Sequence, residues 1–467
     1  MVIGNTRLFI CIAISALLWI VPVGETLPLT GWHIFSIFIG VIVSFILRPY
    51  PMAVMVLLGL LSLVATNTIT IKDALNGYGD TTVWLVVAAF LIAGAVIKTG
   101  LGKRIALNLV VVLGKSTIGL GYALCIAELI LGPVVPSNTA RGGGILAPIM
   151  KSLAYALGSR ENDQPKKAGQ YLALVGAHAN LITSAMFLTG MAANPLVATA
   201  AKEVMDIDFD WATWAAGAIL PGLLGLFLLP LLIHFIAKPD LKDGRAAQEQ
   251  AREELRKMGV WSKNEKYMGF VFILLVVLWS TKFLTGLHTT TVAWMGVCTL
   301  LLTGTQKWME MVENKKAWDT MIWLGGLLTL ANLLKTHGFI GWFADNAAIW
   351  VEGWGGLITL LLLALIYFFS MYFFSMLTAH IAAMATVFIA LAMAGGAPLL
   401  LTVALFAYFS NLCASLTYYS TGPVVIYYGM GYVKPKKWFE AGFIIAVFHL
   451  VIWLGPGLAW WKLLGWW

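Results

Sequence analysis

The chain has 467 residues, 60% of them hydrophobic and only 11% charged, with 30 Lys plus Arg against 22 Asp plus Glu and a formal net charge of +8. A soluble globular domain carries about 25% charged residues, so this composition excludes that class and implies a polytopic membrane protein. The positive excess is read as charge in cytoplasmic loops, and no nucleic-acid partner is expected.

The first apolar run, "LFICIAISALLWIVPV", is hydrophobic enough for a signal peptide. No small-residue cleavage site follows it and many more spans do, so it is read as a retained first helix. Apolar runs predict helices near 8–24, 32–47, 52–67 and 83–98. A polar-punctuated region at 117–156 follows, then single segments near 171–198 and 212–236. A charged stretch, 238–266, contains "KDGRAAQEQAREELRKMG", a soluble helix pattern with many Glu–Arg and Glu–Lys neighbours. The second half reads 267–284, 290–305, 319–335, a punctuated region 355–396, then 398–430 and 438–465. The expectation is an all-α membrane protein of about eleven spans with two broken regions. Its parts are an N-terminal helix within 1–30, a first unit over 31–237, a linker at 238–266 and a second unit over 267–467. Cys11, Cys125, Cys298 and Cys413 stand far apart in apolar stretches and read as packing residues, with no CxxC for a metal or redox site. No cofactor and no metal are expected. "LGKST" at Leu113 only faintly resembles a phosphate loop, because Leu109 stands where that loop needs glycine.

Charge tests the topology. With the amino terminus inside and each broken region re-entering without crossing, 24 of the 30 Lys plus Arg fall inside and five outside. That asymmetry is what a correctly oriented membrane protein shows. The remaining residue is Arg141, which no loop can claim.

The two halves repeat one another. "DTTVW" begins at Asp80 and "DTMIW" at Asp319, an offset of 239. Trp84 to Thr139 is 55 residues, as is Trp323 to Thr378. Thr139 stands in "SNTAR" and Thr378 in "MLTAH". "NLITS" at Asn180 matches "NLCAS" at Asn411, and the pairs Thr189-Gly190 and Thr421-Gly422 follow them. Each half holds five spans, an odd number, so the copies are expected to be inverted in the membrane, the pattern of a secondary transporter.

The stretch "VVPSNTARGGGILAPI", 134–149, explains the first broken region. Non-helical backbone at membrane depth needs surrounding protein or a water-filled cavity. Pro133 and Pro136 stop one half-helix; Ser137, Asn138 and Thr139 are good caps for the next. Gly142, Gly143 and Gly144 permit close packing. The expected product is a re-entrant hairpin whose tip presents a helix amino terminus, suited to a carboxylate or phosphate. The alternative is a tightly packed kink in a full span. "FFSMLTAHIAAMA" repeats the polar break in the second half.

The Ser137-Asn138-Thr139 tip, the second break at the same repeat position and the "NLxxS … TG" segments together resemble the divalent anion:sodium symporter family of di- and tricarboxylate carriers. The resemblance implies eleven transmembrane helices, two opposed re-entrant hairpins, a homodimer held by scaffold domains and elevator-type alternating access. It also implies that two Ser-Asn-Thr tips bind substrate carboxylates and help form sodium sites. Here the second tip reads Met376-Leu377-Thr378, with Ser375 before it, so only the threonine is kept. The substrate-binding expectation therefore covers Ser137, Asn138, Thr139, Ser375 and Thr378, with Thr189, Gly190, Thr421, Gly422 and Pro423 from the Thr-Gly segments.

Arg141 and His380 each follow the Thr-Ala of their repeat. Both are read as fixed countercharges standing where Na+ stands in symporters, since arginine is not deprotonated and an intramembrane charge is functional by default. The competing reading pairs Arg141 with Glu128 as a structural bridge and makes His380 a hydrogen-bonded core residue. His178 is read as structural, and the many Trp and Tyr residues as interfacial anchors. The resulting expectation is a non-enzymatic antiporter of di- or tricarboxylates in the bacterial inner membrane, similar to the family's antiporter branch. The alternatives are a Na+-coupled dicarboxylate symporter and, from another class, a carboxylate channel or sensor.

Overall fold

The computed structural model describes residues 2–23, 26–161, 163–351, 353 and 355–467. Among them the secondary structure is helical, with one isolated bridge between Ser116 and Asp243. Eight helices are long and apolar enough to cross a membrane, and the chain is a multi-pass membrane protein.

The first half contains α1 (Val2–Trp19), α2 (Leu29–Leu47), α3 (Met52–Ala65), the short α4 (Ile71–Leu75), α5 (Thr81–Thr99) and α6 (Leu101–Leu113). It continues with α7 (Thr117–Leu131), a π-helical turn at Thr139–Leu146 leading into α8 (Ala147–Ala156), α9 (Gly169–Met186), α10 (Asn194–Met205) and α11 (Trp211–Ala237). The linker forms α12 (Arg245–Met258). The second half contains α13 (Lys263–Ser280), α14 (Lys282–Thr285), α15 (Thr289–Leu302), α16 (Trp308–Val312), α17 (Lys315–Thr336) and α18 (Phe339–Val351). Then come α19 (Gly356–Phe369), α20 (Leu377–Ala394), α21 (Leu399–Leu412), α22 (Gly422–Gly429), α23 (Pro435–Leu454) and α24 (Pro456–Leu463).

The boundaries follow from local chemistry. Asp80, Ser116 and Asp210 cap α5, α7 and α11 by accepting the amides of Thr82, Gly119 and Thr213. Ser262 and Glu265 form a capping box that starts α13 four residues before the expected span. Gly100, with φ of 78°, makes the left-handed turn between α5 and α6.

Two expectations need correction. The segments 171–198 and 398–430 are broken helices and not single spans. α9 stops at Met186, where Phe187 turns extended, and α10 starts seven residues after Phe187 at Asn194. α21 stops at Leu412, and Thr417 and Thr421 are extended before α22. Each second piece has proline as its second residue, Pro195 and Pro423, where the missing N–H costs the new helix nothing. The helices α6 and α18, 13 residues each, were not expected. α6 buries Leu101, Arg104, Leu107 and Val110 and exposes its other side, so it is too amphipathic to read as an apolar run.

Candidate functional site

The first tip is built by its own backbone. α7 ends at Leu131 and the chain turns through Gly132 and Pro133 before re-entering helix after Ser137. The Ser137 hydroxyl accepts the Ala140 amide at 3.1 Å and the Ser137 carbonyl accepts that of Arg141 at 2.9 Å. Ser137 thus caps the next arm of the hairpin. The arm begins as a π-helical turn, a wider form frequent at functional sites. Two of its three glycines pack closely against neighbours. A Cβ on Gly142 would lie 2.7 Å from Asn180 Nδ2, and one on Gly143 would lie 2.3 Å from Ile426.

Both tips meet the second broken helix. Asn138 Nδ2 donates to Thr421 Oγ1 at 3.1 Å, and Asn180 Nδ2 donates to the Asn138 carbonyl at 3.2 Å. Gly422 lies so close to the first tip that an added Cβ would sit 2.2 Å from Thr139 Oγ1. From the other side, Leu377 N donates to the Ser420 carbonyl at 2.7 Å. The pair Ser420-Thr421 therefore joins the first tip to the second, beside Thr378. Thr378 is half-buried and its hydroxyl makes no hydrogen bond to a described residue; that of Thr139 has only a 3.4 Å contact with Asn138 Oδ1. These hydroxyls and the adjoining helix amino terminus form a polar cluster able to receive an anion's oxygens.

Three predicted residues sit differently. Ser375 is exposed, and its carbonyl accepts Arg48 Nη2 at 2.8 Å from the end of α2. Thr189 and Gly190 face the back of the first hairpin. The Thr189 hydroxyl donates to the Pro133 carbonyl and accepts Trp211 Nε1 at 2.9 Å, so it is already committed.

Arg141 was expected as a fixed countercharge, with a bridge to Glu128 as the competing reading, and the structure forms that bridge. Arg141 and Glu128 are both fully buried, with Nε donating to Glu128 Oε2 at 2.6 Å. Nη1 donates to the carbonyls of Val135 and Gly190 at 2.7 and 3.0 Å; Nη2 donates to the hydroxyls of Thr183 and Ser184 at 3.3 and 3.0 Å. Every guanidinium donor is used. Glu128 is held in turn by Asn180 Nδ2 at 2.9 Å and by Thr183 Oγ1 at 3.1 Å. A buried charge survives only when paired and hydrogen-bonded, which is why the pair forms.

His380 is also committed to its own hairpin. It is fully buried, its Nε2 lies 2.8 Å from Ser370 Oγ and 3.0 Å from the Tyr367 carbonyl, and its ring packs against Tyr367 and Phe374. No ion pair to a described acid accompanies it.

Sequence reasoning missed Asn194. Its amide donates to the carbonyls of Ser184 and Phe187 at 2.8 and 3.0 Å, and Asn411 Nδ2 donates to its Oδ1 at 2.8 Å. Asn194 and Asn411 thus bind the two broken helices to each other. The Asn before Pro195, directly after a helix break, was the available signal. No cluster of three or more His, Cys, Asp or Glu suited to a metal occurs among the described residues.

Comparison with known proteins agrees with this architecture. The family model described as the sodium:sulfate symporter transmembrane region matches residues 4–467. YflS of Bacillus subtilis is 41% identical over 461 residues, covering 98% of this chain and 96% of the relative. The chloroplastic dicarboxylate transporter 1 of Spinacia oleracea is 39% identical over 456 residues, covering 97% of this chain and 80% of the relative. Among solved structures, MtrF of Neisseria gonorrhoeae superposes with a TM-score of 0.57 at 16% identity, covering 86% of this chain and 84% of that one, a likeness of fold alone. A match over nearly the whole length, with relatives at this identity, makes the chain a member of the sodium:sulfate symporter family, the divalent anion:sodium symporters, and hence a membrane transporter.

Proposed function

We propose that the chain is a secondary antiporter that exchanges dicarboxylates across a bacterial inner membrane by alternating access. The observation that carries the reading is the convergence of both hairpin tips on Ser420-Thr421. It gathers Asn138, Thr139 and Thr378, with the Gly422-Pro423 helix start, into one polar cluster suited to carboxylate oxygens. The name of the spinach relative supports a dicarboxylate. The recurring element order of the two halves supports eleven spans and an inverted repeat, and the two hairpins support an elevator motion. A homodimer within membrane lipid completes the proposal, from the family resemblance.

The coupling argument rests on Arg141. Its Nη1 fills the space between the Val135 and Gly190 carbonyls, two oxygens that would otherwise suit a sodium ion. The guanidinium therefore acts as an internal cation that fixes the first tip, with Glu128 balancing its charge. His380 plays the mirror part by fixing the turn of the second hairpin. Without substrate, the Thr378 hydroxyl and the weakly held Thr139 hydroxyl must cross the barrier unsatisfied, each at about 1–3 kcal/mol. Slow empty return makes exchange the favoured cycle. The test is uptake of labelled dicarboxylate into proteoliposomes. Uptake should require internal dicarboxylate and should persist when choline replaces Na+. Uptake into empty vesicles driven by an inward Na+ gradient would establish the symporter instead.

A further inference from the structure

A polar cavity lies away from the hairpin tips. It is formed by the start of α9 with the turn before it, the end of α11 and the segment joining α22 to α23, and its volume is about 920 Å³. Its walls are fixed. Tyr432 is buried and packs so closely on Gly169 that an added Cβ there would lie 2.2 Å from the ring. Tyr432 Oη donates to the Ser159 carbonyl at 3.3 Å. The amides of Asp240 and Leu241 donate to the carbonyls of Lys166 and Lys167 at 3.2 and 3.1 Å.

Five lysines line this cavity: Lys166, Lys167, Lys238, Lys434 and Lys437. Lys437 has Glu440 at 4.0 Å. The other four form no ion pair with a described acid, and the one acid in the lining, Asp240, is exposed. A second feature points into the same space. Gln170 is only 7% exposed and lines the cavity, yet its carboxamide makes no hydrogen bond to a described residue. Loop lysines on the cytoplasmic side are expected of any membrane protein. Here Lys166, Lys238 and Lys434 are exposed and Lys167 is half-buried around one cavity, and their summed charge makes it a positive site that attracts an anion. Lysine binds phosphate as a point charge, and a buried carboxamide supplies directed donors. The cavity also opens where the long apolar helices α11 and α23 end, the level at which lipid phosphates lie.

We propose that this cavity is a binding site for a phosphate-bearing anion, held by Lys166, Lys167, Lys238 and Lys434 with Gln170 at its base. The inference does not depend on the reading of the hairpin tips. The anion's source is either an anionic lipid headgroup of the inner leaflet or a free phosphate compound. Basic pockets between helices on this face are known to take such headgroups.

The test uses the purified full chain in neutral detergent. Thermal stability is measured with added phosphatidylglycerol, phosphatidylcholine or inorganic phosphate, for the wild type and for the combined variant Lys166→Gln, Lys167→Gln, Lys238→Gln, Lys434→Gln. Stabilisation by phosphatidylglycerol alone, lost in the variant, identifies a lipid site. Stabilisation by inorganic phosphate as well identifies a free anion. Each lysine removed should weaken the apparent affinity by about fivefold. Wild-type protein provides a second measurement that needs no variant. Amine-reactive labelling should be blocked by the anion at Lys166, Lys167, Lys238 and Lys434 and unchanged at Lys263, which starts α13. Equal responses of wild type and variant, or equal labelling with and without anion, would overturn the proposal.

Discussion

Asn138 Nδ2 donates to Thr421 Oγ1 across 3.1 Å, although 283 residues separate the two in sequence. The bond joins a hairpin tip from the first half to a helix break from the second. Its two partners also stand beside the Thr139 and Thr378 hydroxyls proposed for substrate. Asn138→Ala should therefore raise the apparent substrate constant about tenfold, since a charge-assisted bond to a carboxylate is worth roughly 1.5–3 kcal/mol. The double variant with Thr421→Ala should lose less than the sum of the two single losses, because the residues share one contact. Binding of a dicarboxylate by titration calorimetry measures this. Strict additivity would place the two residues in separate sites.

Gly422 gives a steric test of the same convergence. A Cβ at that position would meet Thr139 Oγ1 at 2.2 Å and Thr139 Cγ2 at 2.9 Å, so Gly422→Ala must push the first tip away. Transport should fall at least tenfold, with the fold kept, as checked by thermal stability and monodispersity. Gly144 has nothing within 4 Å of an added Cβ. Gly144→Ala is the matched control and should transport normally.

The contrast between these glycines shows where sequence was informative. Polar, helix-breaking residues inside apolar runs were plain to see, so the tip at Ser137-Asn138-Thr139 and the Thr-Gly pairs were legible. The polar break at Met376-Leu377-Thr378 was legible for the same reason. Sequence did not reveal that Thr189 and Gly190 belong to a break that faces the back of the hairpin, because the direction a side chain faces is set by tertiary packing. Nor did it reveal which acid Arg141 would choose; Glu128 was only one alternative. The two lie 13 residues apart on opposite arms of the hairpin, and only the fold brings the arms together. α6 escaped notice for a different reason, since a half-polar helix lying between spans has no continuous apolar run.

The buried pair Arg104 and Glu265 predicts a pH dependence. Glu265 is 3% exposed and Arg104 5% exposed. Burial pushes the Glu265 carboxyl up, but hydrogen bonds from Arg104 and Ser262 and the guanidinium charge outweigh it, so the group is held below its ordinary value. A depressed acid adds stability that is present above its unfolded pKa, about 4.3 for glutamate, and is lost as pH falls through the folded one. Arg104→Gln leaves Glu265 without its partner and should cost about 3–5 kcal/mol near neutral pH. Without Arg104, burial raises the lone carboxyl, so the gap between variant and wild type should start to narrow above about pH 4.3 and keep narrowing as pH falls through it. Melting curves of both proteins across that range decide it; a gap independent of pH would mean that packing, and not charge, holds the pair.

The ion pair of Arg141 and Glu128 separates a structural role from a coupling role. Both residues are fully buried, so Arg141→Gln leaves a lone carboxylate inside the protein and should cost about 3–5 kcal/mol of stability. The double variant Arg141→Gln, Glu128→Gln removes both charges and should recover most of that loss. Transport then distinguishes the roles. If the guanidinium serves only to balance Glu128, the double variant exchanges dicarboxylate like the wild type. If, as proposed, it holds the Val135 and Gly190 carbonyls that define the first tip, the folded double variant should still exchange at least tenfold more slowly in choline buffer. Freeing two carbonyls that suit a cation should also make its residual activity respond to added Na+, to which the wild type is indifferent. The comparison is exchange by wild type and double variant in proteoliposomes with choline or Na+ on both sides. Normal exchange by the stable double variant in choline would show that Arg141 is structural alone.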